Sequence, residues 1–168
     1  MLYLGIDPGK SGAAALITKE QEILLLQDWP DGEVEASKII WDCWDIADKM
    51  GEKISGAIEA QAARPAFGGP ICYTCKRPLN AMQGIVSTFT FGTNYGIWKG
   101  ILAACAIPFL EPRPSEWMKG LFKKADGKEA NMATASRIFP NAKIYGPKGG
   151  KKDGRADALL IAYWRSKQ

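Results

Sequence analysis

The stretch LGIDPGKSGAAAL, residues 4–16, decides the fold. An apolar run that begins at Leu2 reaches Asp7, is broken at once by Pro8 and Gly9, and resumes from Gly12. That pattern predicts two β-strands joined by a tight turn, with a carboxylate where the first strand ends. Taken alone, an Asp before Pro-Gly is a turn former. The tripeptide GKS at residues 9–11 evokes a phosphate-binding loop. That motif needs four residues between its glycines, however, and Gly5 and Gly9 are separated by three. The following GAAALI also reads as a strand, where a phosphate loop would lead into a helix.

Working outward, a third apolar run at residues 22–29 completes an antiparallel meander with those at 2–7 and 12–18. Asp31 and Gly32 open a segment in which Ile40, Trp44 and Ala47 recur at helical spacing, up to Gly51. ISGAIEA, residues 54–60, predicts a strand, and its Glu59 interrupts an apolar run where an unpaired charge is costly. A helix between two strands implies a crossover, so this fourth strand can lie parallel to the first. Residues 62–84 carry too many Pro and Gly for a regular element and are expected to form a long loop. A helix is predicted over 89–106, a short strand over 107–112, and helices over 115–122, 128–139 and 153–166. The expected architecture is α/β, a mixed five-stranded sheet flanked by helices.

At 168 residues and 46% apolar composition, the chain is predicted to form one domain, residues 1–168. It shows no secretory signal and no apolar run of membrane-spanning length, which leads to the expectation of a soluble cytoplasmic protein without membrane partners. Cys43, Cys72, Cys75 and Cys105 are expected to be free thiols. Cys72 and Cys75 form a CxxC, but there is no histidine or second CxxC to complete a zinc site. Charge is unevenly spread. Residues 1–111 hold 9 Lys/Arg against 13 Asp/Glu, and residues 112–168 hold 13 against 5, so the last third suits a polyanion or a solvated basic surface.

Four carboxylates form the candidate site. Asp7 and Glu59 end strands that can be parallel neighbours, while Asp153 and Asp157, spaced i and i+4, share one face of the last helix. Asp153 alone could serve as a helix cap. As a set, such carboxylates repel one another, and the usual resolution is a hard divalent cation. Two Mg²⁺ ions about 4 Å apart could activate water for phosphodiester attack. No histidine is present to act as a base.

LGIDPGKSGAAAL, AIEA, FGTNYGIWKGILAA, PSEWMKGLF with GKEA, and KKDGRADALLIAYW together resemble, in that order, the RuvC-type Holliday junction resolvases of the RNase H-like superfamily, especially their phage-like branch. The resemblance covers nearly the whole chain. It implies an RNase H-like fold and a homodimer that makes paired, Mg²⁺-dependent nicks in four-way or other branched DNA, with Mn²⁺ able to substitute and no small-molecule substrate. It also implies action in the cytoplasm, in a phage's host if the protein is phage-encoded. Asp7, Glu59 and Asp157 match the family's metal ligands, and Asp153 matches the acid one turn earlier. Lys119 and Lys128 match positions that contact DNA. Lys123, Lys124, Lys148, Lys151, Lys152 and Arg155 extend a basic surround suited to phosphates, and Phe67, Tyr73 and Arg77 lie in the long loop, where they could stack on unpaired bases. The small-residue helix from Gly96 to Ala104 is the candidate dimer interface.

Two departures stand out. The helix acids are four residues apart where the cellular family has three, and the loop GGPICYTCKRPLNAMQG is longer than the family's. The alternative reading is a noncatalytic protein that binds branched nucleic acid on the same fold. A sugar-kinase or actin-like ATPase also ends its first strand with an Asp-Gly turn, but it needs a second such domain.

Overall fold

The computed structural model describes residues 1–30, 32–62, 73–76, 85–121 and 127–168. Five strands form one sheet in the order β3-β2-β1-β4-β5: β1 Leu2–Asp7, β2 Ala13–Ile17, β3 Ile23–Asp28, β4 Ile54–Ile58 and β5 Phe109–Leu110. The first three are antiparallel neighbours, while β4 runs parallel to both β1 and β5. This is the mixed five-stranded sheet that the breaker pattern predicts.

Helices cover both faces. Helix α1, Glu33–Met50, and α2, Ile85–Ala104, lie over the face that carries Leu2, Leu4, Ile6, Leu16 and Ile58. On the other face lie α3 (Pro114–Trp117), α4 (Gly127–Ile138) and α5 (Asp153–Arg165). Helix α1 begins with Glu33 and Glu35, which suit the positive end of the helix, and stops at Gly51, whose φ of 65° closes a left-handed cap. Among the described residues, no helix is long and apolar enough to cross a membrane.

The alternation of β1 decides which face the site occupies. Leu2, Leu4 and Ile6 point into the α1/α2 core, so Tyr3, Gly5 and Asp7 point towards α5. Helix α5 comes into backbone contact with β1: a Cβ on Gly5 would stand 2.1 Å from the Ala158 carbonyl oxygen and 2.3 Å from the Ala162 nitrogen. Ala13, Ala15 and Ala57 keep the same face shallow, and Ala156, Ala158 and Ala162 do so on the helix. Small residues on both sides are what allow the approach.

Most element ends shift by one or two residues from the sequence expectation, and four departures matter more. Helix α2 starts at Ile85, four residues before the expected Phe89, and ends at Ala104. Strand β5 contracts to Phe109–Leu110, because the flanking Pro108 and Pro112 offer carbonyls to Gly56 and Ala60 but no N–H to continue the ladder. Helix α3 is a single turn that starts with Pro114 and is followed by Gly120 at a φ of 85°. The N-cap of α5 is Lys152, so Asp153 is the first helical residue and does not cap. Most of the long loop over 62–84 lies outside the described residues.

Candidate active site

Asp7 and Glu59 meet across the parallel pair β1/β4. Ile6 stands opposite Ile58, and the Glu59 N–H donates to the Ile6 carbonyl at 3.0 Å, which continues the ladder by one residue. Ala57 belongs to the core under α5, so alternation turns Glu59 to that side as well, beside Asp7.

The last helix delivers the other two acids. A Cβ on Gly154 would lie 2.1 Å from the Ser11 carbonyl oxygen and 2.7 Å from Gly12 Cα, so the first turn of α5 rests on the β1–β2 turn, next to the end of β1. Gly5, two residues before Asp7, contacts Ala158 and Ala162. Asp157 therefore hangs over the strand ends. Burial pushes its carboxyl up to about 7, and the negative charges of Asp7, Glu59 and Asp153 add to the effect. All four sequence-predicted acids thus lie within electrostatic reach of one another.

Each of three acids also receives a hydrogen bond from nitrogen. The Gly9 N–H donates to Asp7 Oδ1 at 3.0 Å, which uses the Pro8-Gly9 turn to orient the carboxylate. Trp117 Nε1 donates to Glu59 Oε2 at 2.9 Å, and Gln61 Nε2 donates to Oε1 at 3.2 Å. Asn131 Nδ2 donates to Asp157 Oδ1 at 2.6 Å, against the upward push of burial. Sequence reasoning missed these donors. Gln61 carried a faint signal, since two residues past Glu59 it keeps the same side of an extended chain. Trp117 and Asn131 sit on helices 58 and 26 residues from their acceptors and carried none.

A further network stands behind Glu59. The Tyr95 hydroxyl donates to Glu111, Lys99 Nζ donates to the same carboxylate at 2.9 Å, and the Gln61 backbone bonds Tyr95. Burial, reinforced by Glu111, pushes the Tyr95 hydroxyl well above its ordinary range. Helix α2 is in this way tied to the segment that carries Glu59.

The donor set suits a hard divalent cation: four carboxylates at the ends of two strands and on α5, with Asp157 raised first by burial and then by the charges of the others. Among the described residues, no three His, Cys, Asp or Glu side chains are yet gathered into an arrangement that holds an ion. Asp7, Glu59 and Asp157 are turned towards their N–H donors.

The basic residues divide into two groups. Arg155 is engaged within the protein, with Nε 2.6 Å from Asp28 Oδ1 and Nη1 donating to the Lys143 carbonyl, and Lys152 pairs with the same Asp28 at 2.9 Å. Arg155, then Lys152, hold the Asp28 carboxyl below its ordinary value and pin the end of β3 to the start of α5. Lys119 and Lys148 are exposed, and Lys151 pairs at the surface with Glu129. Lys128 falls in the first turn of α4, but its side chain lies outside the described residues, as do Lys123, Lys124, Arg77, Phe67 and Cys72. Tyr73 is exposed. Cys43 and Cys105 are free thiols, and burial pushes Cys43 up to about 12.

No family model matches the sequence. Over 115 residues, 66% of this chain, it is 31% identical to the chloroplastic Holliday junction resolvase MOC1 of Chlamydomonas reinhardtii, and the match spans 13% of that protein's length. Among solved structures, Thermus thermophilus RuvC in complex with Holliday junction substrate matches with a TM-score of 0.60 at 15% identity, covering 98% of this chain and 91% of that one. A second Thermus thermophilus RuvC structure matches with a TM-score of 0.56 at 17% identity, covering 98% and 92%. The chain therefore has the RuvC fold, an RNase H-like mixed sheet flanked by helices.

Proposed function

We propose that this chain is a structure-selective endodeoxyribonuclease that resolves Holliday junctions or related branched DNA by paired, Mg²⁺-dependent phosphodiester hydrolysis. The observation that carries the reading is that Asp7 and Glu59 end the parallel strands β1 and β4 beside the first turn of α5, where burial and the charges of Asp7, Glu59 and Asp153 raise Asp157 to about 7. The RuvC fold and the 31% identity to a protein named as a junction resolvase support it.

Asp7, Glu59, Asp153 and Asp157 would hold the metal. Bound Mg²⁺, or Mn²⁺ in its place, supplies an activated water and stabilises the leaving oxygen. The protein's own contribution is orientation. The Gly9 N–H fixes Asp7, Trp117 and Gln61 hold both oxygens of Glu59, and Asn131 keeps Asp157 ionisable and aimed at its neighbours. Lys119 and Lys151, both exposed, would contact DNA phosphates, and Lys123, Lys124 and Lys128 add positive charge to the sequence between them.

A homodimer follows from the substrate, whose two symmetric strands call for two equivalent sites. Helix α2 suits the interface. Trp98 and Leu102 are buried in the core, while Gly92, Gly96, Gly100 and Ala103 lie on its exposed side with Val86 and Phe89, 79% and 76% exposed. The proposed setting is the cytoplasm, of a host cell if the protein is phage-encoded.

The test is incubation of a synthetic four-way junction with the wild-type protein and Mg²⁺, beside Asp7→Asn. Resolution by the wild type, with junction binding but no cleavage by Asp7→Asn, is expected. Tight binding without cleavage by the wild type would instead establish a noncatalytic junction-binding protein.

A further inference from the structure

We propose that the β1–β2 turn carries a subsite for a DNA backbone phosphate adjacent to the scissile one, with the Lys10 ammonium and the Ser11 hydroxyl as its ligands. The proposal rests on the junction-nuclease reading above.

A cavity of about 280 Å³ opens beside Asp153, lined by Lys10, Ser11, Asp28, Lys151, Lys152 and Asp153 among others. Its position is fixed by backbone packing from two sides. A Cβ on Gly12 would stand 2.0 Å from the Asp7 carbonyl oxygen, and one on Gly154 would stand 2.1 Å from that of Ser11. The turn is thus wedged between the strand that ends in Asp7 and the helix that starts with Asp153. The Gly12 N–H closes it on the Gly9 carbonyl at 2.9 Å. Lys10 is exposed at its tip.

Charge selects the ligand. The other cations of this rim have carboxylate partners: Lys151 has Glu129, and Lys152 shares Asp28 with Arg155. Among the described residues, the side chains of Lys10 and Ser11 have no ion pair or hydrogen bond. An ammonium and a hydroxyl at the mouth of a cavity supply donors for an anion. An incoming DNA strand whose scissile phosphate sits at the acids must place a neighbouring phosphate beside them, and Lys10 and Asp153 line the same cavity. A contact of this kind fixes register and contributes affinity without reading sequence.

The test is binding of a labelled four-way junction in EDTA over a series of KCl concentrations, by the wild type, Lys10→Ala, Lys10→Arg and the surface control Lys19→Ala. Lys10→Ala is expected to weaken binding severalfold and to lower the slope of log K against log salt by about 0.9, the share of one phosphate. Lys10→Arg retains the wild-type slope, and Lys19→Ala changes nothing. On a junction with a single uncharged methylphosphonate next to the cut site, the difference between wild type and Lys10→Ala should vanish. Wild-type affinity and slope for Lys10→Ala, against a wild type that binds tightly, would overturn the subsite alone. The same holds if Lys10→Ala merely tightens Mg²⁺ binding, because Lys10 would then only balance the acids. A wild type that fails to bind the junction would overturn the junction reading and the subsite together.

Discussion

Replacing Asp157 with Asn should stabilise the metal-free protein while abolishing the proposed nuclease activity. In the folded state, burial and the charges of Asp7, Glu59 and Asp153 raise this carboxyl from an ordinary 3.8 to about 7. The folded protein holds the proton more tightly than the unfolded chain, so stability from this group is lost as pH rises from about 4 to about 7, and the loss is complete above that window. A shift of about three units at about 1.4 kcal/mol each sets an upper bound near 4 kcal/mol. Because Asp157 keeps some contact with solvent, about 1–3 kcal/mol is the expected measured effect at pH 8. In a domain of this size that corresponds to a rise in Tm on the order of 5 °C. The Asn amide oxygen can still accept the Asn131 hydrogen bond, so the substitution changes charge and little else.

The assay is thermal unfolding in EDTA at pH 4 and pH 8, repeated with Mg²⁺. Asp157→Asn should match the wild type at pH 4 and exceed it at pH 8. Mg²⁺ should raise the wild-type Tm and leave that of the variant nearly unmoved, because only the wild type gains binding energy from the ion. A variant no more stable than the wild type at pH 8, or one whose advantage is the same at both pH values, would refute the electrostatic argument.

Two other substitutions probe how the site is held. Gly154→Ala puts a methyl group 2.1 Å from the Ser11 carbonyl oxygen, so α5 must move away from the β1–β2 turn. A drop in Tm of several degrees and loss of the Mg²⁺-induced stabilisation are expected; an unchanged Mg²⁺ response would mean that the close packing does not position the acids. Trp117→Phe keeps most of the buried ring but removes the donor to Glu59 Oε2. Mg²⁺ affinity, read from the Tm shift against metal concentration, should fall by about 10-fold, as for other residues that orient metal ligands. Wild-type affinity in that variant would reduce Trp117 to a packing role.

The fold was largely legible because its punctuation is local. Pro8-Gly9, Gly51 and the loop prolines mark element ends, and the apolar runs between them have strand or helix period. Asp7 and Glu59 could be paired before the structure because a helix between two strands implies parallel neighbours, and β1 and β4 are such a pair. What sequence could not show depends on partners far along the chain. Gly5 and Gly154 read as ordinary glycines until α5 is seen lying on them. Lys152 and Arg155 read as part of the basic surround, yet Asp28, more than 120 residues earlier, takes both. Asn131 and Trp117 likewise gain meaning only where their helices meet the acids. The shortening of β5 and α3 was foreseeable in kind, since prolines flank both, but its extent depended on which carbonyls found donors.

The most direct test of the central claim is to label each of the four strands of a synthetic junction in turn and map the cuts made with Mg²⁺ by wild type and Asp7→Asn. The account expects nicks at symmetric positions on two opposing strands, none by Asp7→Asn although it still binds, and none on linear duplex of the same sequence. Equal cutting by the two proteins would contradict it.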